Sequence, residues 1–340
     1  MEKIIDDRYV FRITDDTGML QHATLGIPDP KEGYTSDDNA RALIMAAMLY
    51  ERSPEWKYEN LTARYLGFLL YAEKDRWFRN FMGYDRNFLE KRGSEDSFGR
   101  CLMALGCTAA NPQMPGSIRG CCEKLLARTA SSCSSLTCLK GKAYALVGLS
   151  LWKNKESLLY TQMLRDSIVD TYVQNRRENW RWFETTMTYC SAILPLALFC
   201  ACGNEKSNCT IAAESLDFLL ENTMKNGLFK PIGCKGWFVR GGSPSAYDEQ
   251  PVEACCTMLA CLKAYQTLGN KKYLQCAKSC FLWYTGQNSL HLSLIDPETG
   301  GCRDGLTKNG LNRNEGAESI ICWLIAAITA EKEGWSQPKD

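Results

Sequence analysis

"YTSDDNARALIMAAMLY", residues 34–50, sets two adjacent carboxylates, Asp37 and Asp38, at the mouth of an almost unbroken apolar run, with Asn39 and Arg41 in the same turn. A helix apolar on every side belongs inside a protein, where carboxylates are costly to bury. Acids at a helix start have an ordinary explanation, because they cap orphan N–H groups and suit the helix dipole. A cap needs only one oxygen acceptor. Two acids with Asn and Arg beside them ask for a further reason.

The same kind of segment recurs along the chain. Apolar, small-residue runs occupy 39–50, 97–107, 141–152, 188–202, 251–265 and 316–329. Between them lie runs that are apolar on one side only, at helical spacing: 59–74, 118–130, 157–175, 210–225 and 272–287. Six buried helices taking turns with half-buried ones describe an inner ring wrapped by an outer ring, an all-α (α/α)6 toroid of alternating inner and outer helices. An open helical solenoid is the plainer alternative; six inner helices and missing polar end caps favour closure. The expected organisation is one toroid domain over residues 1–340. Residues 1–33 form an N-terminal arm or a partial outer helix, and 2–14 are the candidate for the missing sixth.

Alternation has a consequence for the acids. Inner helices separated by return helices all run the same way, so their N-termini gather at one end. Reading the helix starts gives Tyr34, Asp37, Asp38, Asn39 and Arg41, then Glu95–Asp96, then Lys140 and Lys142. The fourth brings Trp182, Glu184 and Tyr189, the fifth Asp248, Glu249 and Gln250, and the sixth Asn314 and Glu315. Trp77 and Trp237 lie in neighbouring loops, and Arg303 and Asp304 in the glycine-rich loop 295–310 before the last helix. Aromatic rings stack on the apolar faces of sugars while planar polar groups hold hydroxyls. Paired carboxyls suit glycosidic cleavage, one protonating the leaving oxygen and the other activating water or attacking. Because a helix N-terminus favours the ionised form, the general acid needs a second carboxylate nearby to raise its pKa.

The totals exclude several classes. Forty Lys and Arg nearly cancel thirty-nine Asp and Glu, so there is no electrostatic footprint for nucleic acid or an acidic membrane surface. No apolar stretch reaches about 18 residues, the length a membrane-spanning helix needs. Eighteen cysteines occur without any C-x-x-C, mostly within apolar helical runs such as "VEACCTMLACL". They read as small buried hydrophobes in a reducing compartment rather than as disulfides or zinc ligands, so a cytoplasmic protein without metal or cofactor is expected. The N-terminus lacks the basic start and apolar core of a secretory signal. "TSDD" has Thr where the D-x-D-D of terpenoid cyclases has its first Asp. The loop 295–310 lacks the spacing of a calcium loop. Only His22 and His291 are present, and both precede inner helices. A histidine-pair sugar epimerase is therefore a weaker reading.

Longer stretches, "LQHATLGIPDPKEGYTSDDNARAL" (20–43), "RNFMGYDRNFLEKRGSEDSFGRCLMALG" (79–106), "NWRWFETTMTYCSAILPLAL" (179–198), "YDEQPVEA" (247–254) and "DPETGGCRDGL...NRNEGAES" (296–319), resemble a bacterial all-α domain. That domain occurs alone and at the C-terminus of some family-4-type glycosyltransferases, and is similar to the six-hairpin glycosidases. The resemblance implies an (α/α)6 fold, a carbohydrate context and a possible glycosyltransferase partner. It carries over Asp38, Asp96, Glu184, Asp248 and Glu318. The family pattern usually reads D-Q-Q-P and N-Q-N-Q-G-A-E; "DEQP" and "NRNEGAE" here make Glu249 and Glu315 departures.

The expectation is a glycoside hydrolase acting on a short oligosaccharide, with Asp248 as preferred acid and Asp38 or Asp96 as preferred base. Acids on opposite helices favour the wide spacing of an inverting mechanism. A non-catalytic glycan-binding or glycosyltransferase-assisting module is the alternative, and a sugar isomerase or epimerase a third.

Overall fold

The computed structural model describes residues 5–203 and 209–335. Its described part is all-α, with helices α1 (Arg8–Ile13), α2 (Ser36–Arg52), α3 (Trp56–Ala72), α4 (Glu95–Ala110), α5 (Gly116–Thr129) and α6 (Leu139–Leu151). They are followed by α7 (Lys155–Asn175), α8 (Ile193–Ala201), α9 (Thr210–Thr223), α10 (Pro251–Leu268), α11 (Lys271–Tyr284) and α12 (Ala317–Lys332). Strands occur only as two-stranded ribbons among the described residues. The chain forms two compact units, Val10–Asp166 and Met1–Tyr9 with Ser167–Asp340.

In the first unit, α2, α4 and α6 form the apolar layer and α3 and α5 pack outside it. Four glycines explain how closely two of these helices approach. A Cβ on Gly99 would run into the carbonyl of Gly141, and one on Gly106 into the carbonyl of Gly148. The offset is the same two turns further along, so α4 and α6 lie side by side and parallel. Their N-termini therefore emerge at one end, with that of α2.

In the second unit α8, α10 and α12 are the inner elements, and α9 and α11 pack against them. A shared device follows one outer helix in each unit. The chain leaves α3 through the hairpin Glu73–Lys74 with Trp77–Phe78, whose turn residues Asp75 and Arg76 both have positive φ. It leaves α9 through Met224–Lys225 with Leu228–Phe229, turning at Asn226 and Gly227, again both left-handed. Paired positive φ values match the twist of a two-residue hairpin, so the outer helix ends sharply and an aromatic strand enters the core.

Three expectations are revised. The apolar run 188–202 does not begin as helix: Cys190 is left-handed, its N–H donates to Glu253 Oε1 at 2.5 Å, and α8 starts only at Ile193. Cysteines are not all thiols, because Cys202 and Cys209 are joined by a disulfide on either side of 204–208. The candidate sixth outer helix at 2–14 is one short helix, α1, whose Tyr9, Val10 and Ile13 are fully buried; residues 2–4 lie outside the described residues.

Candidate active site

In the unit Val10–Asp166 the acids of α2 and α4 meet around one arginine. Thr35 caps α2: its hydroxyl accepts from the Asp38 N–H at 3.0 Å and donates to Asp38 Oδ2 at 2.6 Å. The other Asp38 oxygen faces Arg41 at 2.9 Å, so both its oxygens are engaged by its own helix start. Asn39 is fully buried and binds backbone, accepting from Met19 N at 2.9 Å and donating to Thr35 O at 2.8 Å. Asp37 is different. Its Oδ1 lies 3.1 Å from Arg41 Nε and 3.2 Å from Arg100 Nε, and its side chain is 25% exposed.

Arg100 is the hinge of the cluster. Its Nε also sits 3.3 Å from Asp96 Oδ2, and its guanidinium lies over the Tyr144 ring at 4.3 Å. A guanidinium this deeply buried needs paired charge around it. Burial pushes the Asp96 carboxyl up, the neighbouring Asp37 adds to the rise, and Arg100 pulls the other way; the net shift is upward. Its Oδ1 is buried and accepts no hydrogen bond among the described residues. Glu95, the partner in the acidic doublet, faces away from this pair. It accepts from Thr137 and Cys138 ahead of α6, and those bonds outweigh its burial and hold it below the usual carboxylate range. Asn80 joins the two helix starts, its Oδ1 accepting from Asp37 N at 3.1 Å and from Ser97 Oγ at 2.9 Å.

The aromatic candidates of this unit are inside it. Tyr34 is buried, donates to Asp15 at 2.5 Å and packs on Phe68 and Tyr84. Trp77 is buried, stacked on Phe98 at 4.0 Å, with its indole N–H on the Gly93 carbonyl. A cleft of about 660 Å³ opens at the C-terminal end of these helices, lined by Arg119, Glu123, Lys124, Trp152 and Lys153, and contains no acid pair.

The second unit holds the remaining candidates in three groups. Asp248 is 27% exposed and pairs with Lys235 at 3.3 Å. Glu249, its neighbour, is fully buried, accepting from Trp283 Nε1 at 2.9 Å and Ser289 Oγ at 2.6 Å; burial pushes its carboxyl up. Gln250 is the residue before α10. Tyr189 and Trp237 are half-buried with ring centroids 6.3 Å apart, Trp182 is buried against Phe183, and the Glu184 carbonyl accepts from Trp180. In the third group Arg303 bridges Asp296 at 2.5 Å and Glu315 at 2.8 Å, while Thr299 donates to Glu315 at 2.9 Å. Burial and the adjacent Asp296 push Glu315 up to about 7. Asp304 accepts from Gly316 N and Ser319 Oγ, tying the loop to the start of α12, and Asn314 is exposed. His22 and His291 are exposed loop residues. No group of three metal-ligating side chains occurs among the described residues.

Arg100, Asn80 and Tyr144 were missed by the helix-start reading. A signal for the first was present: Asp37 and Arg41 are spaced i, i+4, and so are Asp96 and Arg100, which places each arginine one turn behind its acid on the same face.

No family description and no curated protein matches the sequence. Solved structures do match. A sugar epimerase from a ruminal bacterium superposes with TM-score 0.75 at 12% identity, covering 99% of this chain and 97% of that one. A D-mannose isomerase gives 0.69 at 10% identity, over 98% and 96%. A GH76A α-1,6-mannanase from Salegentibacter gives 0.63 at 10% identity, over 97% and 98%. These likenesses give the fold class: all-α, the (α/α)6 toroid.

Proposed function

We propose that this chain is a carbohydrate-active enzyme that cleaves a glycosidic bond in a short oligosaccharide, with Asp96 as proton donor and Asp37 as the second carboxylate. The observation that carries the reading is the carboxyl pair on Arg100. Asp96 is pushed toward its protonated form beside a partner acid, which is what a general acid near neutral pH needs. The helix starts alone point to Asp38 or Asp96 as base and Asp248 as acid. Asp38 has both oxygens engaged at its own cap, which supports moving the role to the more open Asp37. Asp37 Oδ1 and Asp96 Oδ2 lie 3.2 and 3.3 Å from the same guanidinium nitrogen, which supports their acting as one pair. The sugar-acting neighbours on this fold support the substrate class.

The test is release of reducing ends from manno- and gluco-configured oligosaccharides. Asp96→Asn and Asp37→Asn are each expected to lower kcat/KM by about 10²–10⁴-fold with the circular dichroism spectrum retained. As the donor must be protonated, activity falls as pH rises through the raised pKa of Asp96. Binding without release, or full activity in both variants, overturns the assignment.

A second reading, sugar epimerisation or isomerisation, is favoured by one observation: the epimerase and isomerase neighbours superpose better than the mannanase does. It predicts conversion of one reducing sugar into another and loss of that activity in His22→Ala or His291→Ala.

A further inference from the structure

The tryptophan and tyrosine offered as sugar platforms beside α2 are buried, but the strand paired with Tyr34–Thr35 carries a ring, Phe81, that reaches solvent. We propose that Phe81 is a stacking platform for a sugar unit next to the one that is cleaved, and that it makes the site select oligosaccharides over monosaccharides. The inference rests on the carbohydrate reading above and names a binding residue for it.

Three features place the ring. Strand Tyr34–Thr35 pairs antiparallel with Phe81–Met82, so Phe81 stands directly opposite Thr35 and Met82 opposite Tyr34. Opposed residues in an antiparallel pair point to the same face, and successive residues to opposite faces. Met82 and Tyr34 go inward, 2% and 1% exposed; Phe81 lies on the other face with Thr35, the buried residue that caps Asp38, and is itself 46% exposed. The residue before it, Asn80, accepts from Asp37 N and, through its carbonyl, from Ser36 N at 2.9 Å. The ring is thus one residue from the segment that holds Asp37.

The backbone under the ring is clamped. Glu90 Oε1 accepts from both Asn80 N, at 2.5 Å, and Phe81 N, at 2.8 Å, and Leu89 N donates to the Phe81 carbonyl at 2.9 Å. A backbone held in this way leaves only the side chain to order on binding, and a pyranose presents an apolar face of C–H groups that fits a phenyl ring. Beside the acid pair, an apolar plate adds selectivity for a sugar that extends beyond the cleaved bond.

Binding separates this inference from the hydrolase reading, since it is measured whether or not cleavage occurs. Calorimetric titration of the intact protein with a matched disaccharide and tetrasaccharide carrying non-cleavable thio-linkages is the experiment, on wild type, Phe81→Ala and Phe81→Trp. The Ala variant is expected to weaken tetrasaccharide binding about tenfold and disaccharide binding about threefold or less, with Trp restoring both. Equal weakening for the two lengths, or no weakening, overturns the platform. Turnover of the oxygen-linked sugars without any Phe81 effect overturns the platform alone; tight binding without that turnover, with the length-dependent loss, supports the platform and overturns the hydrolase.

Discussion

At the scale of single residues, burial and pairing separate acids that look equivalent in sequence. Asp37 and Asp38 are neighbours, but Thr35 and Arg41 occupy the second while the first reaches Arg100 on another helix. Glu315 shows the same effect with a cost. Its carboxyl is raised from 4.5 to about 7 in the fold, so the folded protein holds a proton that the unfolded chain releases. Stability from this residue is therefore present below about pH 4.5 and lost as pH rises to about 7. Glu315→Gln, which keeps the size of the side chain and removes its titration, removes that slope. Relative to the variant, the wild type should lose on the order of 2 kcal/mol between pH 5 and pH 8 in urea unfolding. Parallel pH curves for the two proteins would contradict the buried, raised carboxyl.

At the scale of elements, helix alternation follows from periodicity, and its tightest contact from glycine. α4 and α6 touch backbone to backbone at Gly99–Gly141 and Gly106–Gly148. Gly106→Ala must push the helices apart or bend one of them. The expected loss is about 1–3 kcal/mol by thermal or chemical unfolding, more than alanine's better helix propensity returns. Gly120→Ala on α5, where nothing lies within 4 Å of the added carbon, is the matched control and should be neutral or stabilising. Equal effects at both positions would mean that the close approach is not required. The glycines were visible in the sequence, but their facing partners were not: nothing in "SFGRCLMALGC" says which helix lies against it.

For the whole molecule, charge is nearly balanced, at a formal +1. Binding of a neutral oligosaccharide to such a chain should change less than about twofold between 50 mM and 500 mM salt, because no long-range field is there to screen. A steep salt dependence in the same titration would point to a charged ligand instead.

The sequence by itself determined the all-α class, the alternation of buried and half-buried helices and the acids at their starts, because burial imprints a 3.6-residue period that needs no partner to be read. It also put Asp37 and Arg41 in one turn, within reach of a local pair that the fold makes at 3.1 Å. Tertiary structure decided the rest. Arg100 joins Asp37 to Asp96 across 59 residues of chain, Trp77 turns inward and Phe81 outward through strand register, and Cys202 finds Cys209. Each outcome depends on which surfaces meet, and a carboxylate's protonation or a ring's exposure is a property of that meeting, which no local pattern encodes.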